Sequence, residues 1–547
     1  MMDFDNDKMA FGPKNFKYLD DLIHSGAKEI VLNSDIVLSD GEESEYKNGI
    51  KLDVNDIVID GKGYAIDACG KARIFDCTGK NIIVKNIIFK NGHSEENGGA
   101  IYNREGELTI TESTLQHNMS ERDGGAIDNR GELTITESTL NNNTARYGGA
   151  INNLYGKLTI VRSTLKENTS QKSGGAVHNW EGELKITGSA LNSNTAKIDG
   201  GAIDNNDGDL NIIDSTLNNN TAQEYNGGAI DSIGGELTIA GSTLNSNTSQ
   251  EEGGAIGNGD GKLTITGSIL QENTAKKRGG AIYCLESSSL KINNCVFIKN
   301  TVQDDGGAIY NEDGELTISE STLAENTAKN YGGAIYNKNG ELTISESILN
   351  NNTAEWGGGA IDNYDGELTI TGSTLTKNNT MIIGGAIFNR EEGELTITDS
   401  TLSENTAKEA GGAILNFNKL TIAETHFNDN LAQEKDGGAI NIQRGGDVEI
   451  DNCQFQNNAA NRSGGAIFNF GKLTITETHF NDNLTQEGEG GAINIQRGGD
   501  VEIDNCQFQN NVANRSGGAI WKYSNQNLSF KDCTFKDNRP DDVFEKK

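Results

Sequence analysis

Hydrophobic and polar residues alternate along most of the chain in short segments that recur every 24 to 27 residues. The tetrapeptide Gly-Gly-Ala-Ile, or Gly-Gly-Ala-Val, opens each copy and occurs 17 times, first at Gly98 and last at Gly517. Each copy holds three segments of alternating apolar and polar residues bounded by Gly or Asn, which is a strand pattern and not a helical one. Three strands per repeat without a long crossover predict one turn of a parallel β-helix.

Comparison of the copies predicts which side chains face the core. In the second segment Leu133 and Ile135 stay apolar from copy to copy, so they point inward and the alternate Thr residues point outward. In the first segment Ile127 and Asn129 share the inward side, and the position between them varies freely, as an outward position would. The third segment ends in an Asn, such as Asn143, and we expect it to bond to the matching Asn of the next coil.

The ends of the chain depart from the repeat, and four regions follow. Residues 1–27 form an N-terminal cap, in which apolar residues on one helical face predict a short amphipathic helix that closes the core. Residues 28–97 form irregular early coils, residues 98–520 form the repeated β-helix, and residues 521–547 form the final coil and the C-terminal tail. The predicted fold is all-β: a single-stranded parallel solenoid of about 20 coils.

The composition of the chain limits the classes of partner that it can bind. The formal net charge of −34 repels phosphate backbones, so we expect no nucleic-acid binding. The same charge keeps a repetitive surface soluble, and we expect a monomer. No segment approaches the roughly 18 apolar residues of a membrane helix, and Met1–Lys17 is acidic and polar where an export signal would be apolar. Neither feature predicts the cellular compartment of the protein.

Most of the seven Cys residues occupy positions that repeat for packing reasons. Cys295, Cys453, Cys506 and Cys533 replace the Ser that follows the second segment, and Cys284 replaces an inward Asn. Small inward side chains interchange at such sites, which predicts reduced packing thiols. Cys506 and Cys533 lie in adjacent coils and are the one pair close enough for a disulfide to be considered.

The repeat resembles a known type of surface protein. Gly-Gly-Ala-Ile combined with Phe/Leu-x-x-Asn is similar to the repeats of polymorphic outer membrane proteins and of the adhesin-like proteins of methanogenic archaea. Residues 49–92, with the motif Val58-Ile-Asp-Gly-Lys-Gly63, resemble the early coils of pectin-lyase-like β-helices. The resemblance implies a right-handed β-helix, a cell-surface or secreted location, and an adhesin-like or structural role that binds a glycan or a surface protein. Because pectin-lyase-like folds include polysaccharide lyases and glycoside hydrolases, the resemblance also implies catalysis as an alternative.

The outward position of the first segment provides candidates for catalysis. Hydrolysis of a glycosidic bond needs two carboxylates at a defined separation, and a histidine beside them adds a further acid or base. The candidates are Asp128, His178, Asp204 and Asp231. Because an acidic repeat chain also aligns carboxylates by chance, we favour a solvated face over a catalytic one at these positions.

The same outward position further along the chain carries aromatic residues: Tyr283, Tyr310, Tyr336 and Phe388. Stacked rings form a flat platform of the kind that sugars or partner proteins bind. The competing interpretation is that these residues simply suit a strand surface.

A third outward set is acidic and stacks at the start of the second segment on four successive coils: Glu315, Glu341, Glu367 and Glu394. Adjacent carboxylates repel each other by roughly 1 kcal/mol in water. We therefore expect divalent cations, calcium in particular, to stabilise the protein, and we expect no other cofactor.

Together these features favour a non-enzymatic, adhesin-like or structural β-helix. A polysaccharide lyase or hydrolase is the alternative, and an ice-binding solenoid is a further one, based on Thr-x-Thr pairs such as Thr134 and Thr136. The first two hypotheses differ in a visible way: an enzyme predicts a unique cleft with a perturbed carboxylate pKa, whereas a binding protein predicts an open face without one.

Overall fold

The computed structural model describes residues 12–285, 288–497, 500–524 and 528–546. They belong to two compact units, Met1–Leu237 and Thr238–Lys547. Within each unit, every strand pairs in parallel with the corresponding strand one coil further along, so each unit is a parallel β-helix. The described residues give eight coils in the first unit and 12 in the second, which confirms the predicted total of about 20.

Whereas the described residues of the last coil, which begins at Gly517, form three strands, the repeat coils that begin at Gly98 to Gly490 contain four each, not the three that the sequence predicted. In a representative coil they are Ile127–Asn129, Glu132–Thr136, Thr139–Asn141 and Thr144–Ala145. The fourth strand has only two residues, which are too few to show an alternating pattern. It follows the turn at Asn143 and leads into the loop before the next Gly-Gly pair.

The first strands of the coils matter most for function. Those of the first unit are Ile50–Leu52, Phe75–Cys77, Ile101–Asn103, Ile127–Asn129, Ile151–Leu154, Val177–Trp180, Ile203–Asn206 and Ile230–Ile233. Those of the second unit are Ile256–Gly259, Ile282–Cys284, Ile309–Glu312, Ile335–Lys338, Ile361–Tyr364, Ile387–Arg390, Ile414–Asn416, Ile440–Ile442, Ile467–Asn469, Ile493–Ile495, Ile520–Tyr523 and Val543–Lys546.

A short helix, Phe16–Ile23, precedes the first coil as predicted. Its N-cap is Asn15, whose Oδ1 accepts a hydrogen bond from the Tyr18 backbone N–H at 3.1 Å. Its apolar face, with Phe16, Leu19 and Ile23, is buried. A second helix of one turn, Glu43–Tyr46, lies among the irregular early coils. Residues 1–11 of the predicted cap lie outside the described residues.

The core contains the side chains that the repeat predicted. Leu133 and Ile135 are buried, and the alternate residues of the same strand are partly exposed. The predicted Asn ladder is present: Nδ2 of Asn118 donates to Oδ1 of Asn143 at 3.0 Å, and Asn143 donates in turn to Asn168 at 3.0 Å. A second ladder joins the inward Asn residues of the first strands, as the 2.7 Å bond from Asn129 to the next coil illustrates. These ladders satisfy buried turn groups in coil after coil.

All seven thiols are free. Of the five for which the sequence predicted a packing role, Cys284, Cys295, Cys453 and Cys506 are buried and Cys533 is partly exposed. Cys506 is buried, and its Sγ lies 3.2 Å from the carbonyl oxygen of Asp504. Burial raises the pKa of the Cys506 thiol to about 12. Cys506 and Cys533 form no disulfide in this structure.

The Gly-Gly pair forms the corner that shapes the surface of each coil. Gly174 has φ +69°, a left-handed conformation in which glycine is the least strained residue. A Cβ on the next residue, Gly175, would lie 2.0 Å from the carbonyl oxygen of Gly201 on the following coil, so only glycine fits there. This corner turns the chain back, and the residue before each pair therefore stands beside the first strand. We call the residues immediately before the Gly-Gly pairs the wall column.

Candidate functional site

The second residue of each first strand points away from the core, as predicted, and we call this set the outer column. The sequence predicted that the outer column is solvated, and this is wrong at the candidate positions. Asp128, His178, Asp204 and Asp231 are all buried, with at most 7% of their surface exposed. The physical reason is the wall column, which stands over the outer column and shields it from water.

In the first unit the two columns enclose a groove of about 510 Å³, a size typical of ligand sites. From the outer column the groove is lined by Asn152, His178, Asp204 and Asp231. From the wall column it is lined by Asp123, Tyr147, Ser173 and Asp199. Of the predicted catalytic candidates, the structure therefore brings His178, Asp204 and Asp231 together in one groove. Asp128 does not line it.

A chain of side-chain contacts runs through the outer column. Asn152 donates from Nδ2 to Oδ2 of Asp128 at 2.7 Å, which fixes the orientation of the Asn152 amide. The Asn152 Oδ1 then lies 2.7 Å from Nδ1 of His178. Because an amide oxygen only accepts hydrogen bonds, Nδ1 carries the proton. The other ring nitrogen, Nε2, lies 3.3 Å from Oδ2 of Asp204 on the next coil.

The charge states in the groove follow from burial. Burial lowers the pKa of His178 to about 4, so the ring is neutral at pH 7 and Nε2 is an acceptor. Burial, together with the nearby Asp199 carboxylate, raises the pKa of Asp204 to about 8. The contact between them is therefore a hydrogen bond from a protonated carboxyl to a neutral imidazole. It is not an ion pair, although the two groups are within ion-pair distance.

Two further carboxyls share this environment. Burial, and then the charges of Asp199 and Asp204, hold the pKa of Asp231 well above its ordinary value. Burial also raises the pKa of Asp199, whose Oδ1 accepts a hydrogen bond from the Asn226 backbone N–H at 3.0 Å. The groove thus holds several carboxyls in one partly desolvated space, where like charges cannot all ionise.

An apolar rim accompanies these acids. Tyr155 and Trp180 line the groove and are 64% and 40% exposed, and the exposed side chain of Ile233 extends this rim. The His178 ring lies between Tyr147, at a centroid distance of 5.0 Å, and Trp180, at 6.2 Å. One side of the groove therefore offers open ring faces and the other offers hydrogen-bonding groups.

The aromatic candidates of the second unit have a different environment from the one predicted. Tyr283, Tyr310, Tyr336 and Phe388 are each at most 7% exposed, so they form no open platform. Tyr310 and Tyr336 stack at a centroid distance of 4.9 Å, and wall residues such as Tyr331 pack against them. The expectation of exposed rings is wrong for the same reason as for the acids, and a binding role for these four residues stays a prediction.

The acidic ladder of the second unit has the predicted register. Glu315, Glu341, Glu367 and Glu394 pair in sequence across four coils and are exposed. Nζ of Lys419 lies 2.8 Å from Glu394 at one end of the ladder. In the described part of the chain, no group of three or more His, Cys, Asp or Glu side chains has an arrangement that could hold a metal ion. The effect of calcium remains a prediction.

Sequence reasoning identified the outer column but not the wall column. It therefore missed Tyr147, Asp199 and the rim residues Tyr155 and Trp180. A signal was available for the wall, because the residue before each Gly-Gly pair occupies a fixed place in every copy. Isolated bridges between successive wall residues, such as Asp123 and Tyr147, show that this place is a regular column.

Comparison with known families agrees with this architecture. Residues 307–469 and 412–543 match the right handed beta helix region family. Residues 267–285 and 294–312 match the Chlamydia polymorphic membrane protein repeat. The predicted resemblance is thereby confirmed: the fold is a right-handed parallel β-helix, and two of its segments match the polymorphic membrane protein repeat.

The solved structures that match the chain include alginate lyases. The PL6 family alginate lyase AlyGC matches with 11% identity over 97% of this chain and 98% of its own, at a TM-score of 0.20. The alginate lyase AlyF-OU02 in complex with G6 matches with 11% identity over 83% of this chain and 84% of its own, at a TM-score of 0.19. No curated protein sequence matches the chain. Among the described residues, no helix combines the length and apolar character needed to cross a membrane.

Proposed function

We propose that the protein is an adhesin-like β-helix of the cell surface that binds glycans, and that the groove of the first unit is its binding site. The observation that carries this proposal is the pairing of exposed ring faces with buried polar groups across a single groove. Trp180 and Tyr155 supply the rings, and Asn152, Asp204 and Asp231 supply the polar groups. Sugar rings have apolar faces that stack on aromatic side chains and hydroxyl edges that need hydrogen-bonding partners.

The polymorphic membrane protein repeats support a surface location. The fold supports the binding role physically, since its parallel ladders hold both columns on a rigid backbone. A rigid site loses little conformational freedom when a ligand binds.

A glycan array probed with the purified full-length chain tests the proposal. We expect selective binding, and we expect Trp180→Ala to lose most of it because the largest open ring is removed. Trp356→Ala is the matched control, since Trp356 is an exposed indole of the second unit, outside this groove. A blank array, or equal binding by both variants, would overturn the assignment of the groove.

A second candidate is hydrolysis of a glycosidic bond in the same groove, because a cleft that holds a carboxyl of perturbed pKa is the feature that distinguishes an enzyme from an open binding face. The observation that favours it is the carboxyl of Asp204, whose pKa of about 8 keeps it protonated at neutral pH, as a general acid requires. The base or nucleophile must be ionised, and Asp199 is the neighbouring carboxyl available for that role, because burial and nearby charges hold the pKa of Asp231 well above its ordinary value. Release of reducing ends from polysaccharides, lost in Asp204→Asn, would support hydrolysis. Tight binding without any such release would leave a binding protein.

A further inference from the structure

Five Asp residues occupy the outer column, and their partners divide them into two groups. Three have an Arg: Asp76 lies 2.9 Å from Arg104, Asp128 lies 3.3 Å from Arg130, and Asp362 lies 3.0 Å from Arg390. The other two, Asp204 and Asp231, have no Lys or Arg partner among the described residues. They are the two Asp residues of this column that line the groove.

The partners of these two carboxyls leave room for a ligand. Asp204 contacts the neutral His178 and accepts a hydrogen bond from Nδ2 of Asn206 at 2.9 Å. Asp231 is 95% buried, and within the described residues its carboxyl has no hydrogen-bond partner. The Arg that lines the groove is Arg146, whose Nε lies 3.5 Å from Asp123 on the wall.

A buried carboxyl without a partner is costly, and most buried charges in proteins are paired. In the outer column, Asp128 and Asp362 are buried and each is paired with an Arg, although Oδ2 of Asp362 accepts no hydrogen bond from the described residues. The buried Asp204 and Asp231 of the groove have no such cation in the described part of the chain. A ligand that brings its own cation would restore the pairing.

We propose that the glycan bound in the groove contains unacetylated amino sugars, and that the ammonium group of one sugar pairs with Asp231 and Asp204 while a sugar ring stacks on Trp180. This inference rests on the proposed function, because it names the class of glycan for the same groove. The open ring faces of Trp180 and Tyr155 favour a sugar over a lysine side chain, which has no flat face to stack. The absence of a convergent metal-binding group in the described residues favours an organic cation over a metal ion.

Proton release from the groove is a second sign that the ligand carries an ammonium group. The ammonium favours the charged form of a neighbouring carboxyl, so its binding displaces a proton from the groove. A neutral sugar has no such effect. Proton release therefore distinguishes an ion pair from simple stacking.

Calorimetry on the full-length chain at about pH 6, where amines are protonated, tests the inference with three tetrasaccharides of the same β-1,4 linkage. Their units are glucosamine, N-acetylglucosamine and glucose. We expect the glucosamine tetrasaccharide to bind at least about tenfold more tightly than the other two. Its binding heat should change with the ionisation enthalpy of the buffer, since a proton is released.

Two variants locate the effect. Asp231→Asn should reduce the affinity for the glucosamine tetrasaccharide much more than the affinity for the glucose tetrasaccharide, so that the two become similar, whereas Trp180→Ala should weaken both to the same extent. Asp76→Asn is the control, because Asp76 is in the same column, has an Arg partner and lies outside the groove. Trilysine is tested in parallel as a cation without a sugar ring.

The outcomes separate the two proposals. Equal affinity for glucosamine and glucose overturns the amino-sugar inference and keeps glycan binding. Trilysine binding as tight as glucosamine, with the same loss in Asp231→Asn, overturns it in favour of a basic peptide. No binding of these tetrasaccharides overturns the inference, and a blank glycan array in addition overturns the proposed function.

Discussion

Nδ1 of His178 lies 2.7 Å from Oδ1 of Asn152, its neighbour on the preceding coil, and this contact decides which ring nitrogen faces the groove. Because the Nδ1–H donates a hydrogen bond to the amide oxygen, Nε2 carries no proton and accepts a hydrogen bond from Asp204. Buried acids and a buried imidazole are thereby kept uncharged beside one another, and this has consequences for stability.

We expect the protein to lose stability as the pH rises from about 6.5 to about 8. Folding raises the pKa of Asp204 from 3.8 to about 8, so its contribution to stability is lost through that interval. His178 acts in the opposite sense, since its pKa falls from 6.5 to about 4, but its effect is complete above about pH 6.5. The melting temperatures of Asp204→Asn at these two pH values should therefore differ less than those of the wild type. Parallel changes in Asp204→Asn and in the exposed control Asp209→Asn would contradict this.

We expect Gly175→Ala to destabilise the first unit by about 3 kcal/mol or more, because its Cβ would overlap the carbonyl oxygen of Gly201. Gly267→Ala is the comparison. Gly267, unlike Gly175, has a positive φ, of +56°, but a Cβ there meets nothing within 4 Å, so only about 1 kcal/mol of backbone strain is expected. Denaturant unfolding followed by circular dichroism measures both, and similar losses would show that close approach is not what requires the second glycine.

The glutamate ladder should respond to cations and to neutralisation. Calcium chloride is expected to raise the melting temperature more than sodium chloride at equal ionic strength, because exposed like charges stack at Glu341 and Glu367. The double variant Glu341→Gln and Glu367→Gln should melt higher without calcium and respond less to it. An unchanged or lower melting temperature with calcium would refute the prediction.

Alkylation of the native protein should distinguish the thiols. Cys69 is exposed and Cys533 is partly exposed, whereas the other five are buried. Brief treatment with iodoacetamide followed by mass spectrometry is expected to label Cys69 first and Cys533 next. Cys284 and Cys453 should react only after unfolding, because burial also raises the pKa of each to about 12. Early labelling of either would mean that the core opens locally.

The side chains of the core could be predicted from the sequence because each core position is repeated many times. Leu133, Ile135 and Asn143 keep their residue type from copy to copy, and their inward direction follows from strand alternation alone. The fourth strand was not predicted, since Thr144–Ala145 is too short to show a period.

The surface was harder to predict, because alternation separates inward from outward but does not show what covers an outward residue. Asp204 points away from the core and is still buried, since the loop ending at Asp199 stands over it. That arrangement depends on the corner made by the Gly-Gly pair, a tertiary feature that strand alternation does not reveal. The sequence therefore predicted correctly that the candidate acids are neighbours, but it predicted incorrectly that they are exposed to solvent.

The core residues are separate from the wall and outer columns, and this separation has an evolutionary consequence. A substitution in the wall or outer column changes the groove without disturbing the Leu, Ile and Asn positions that hold the coils together. Tyr147 and Asp199 occupy the same wall position two coils apart and differ completely in chemistry. Selection can thus rewrite what the molecule recognises, one coil at a time, while its scaffold stays the same.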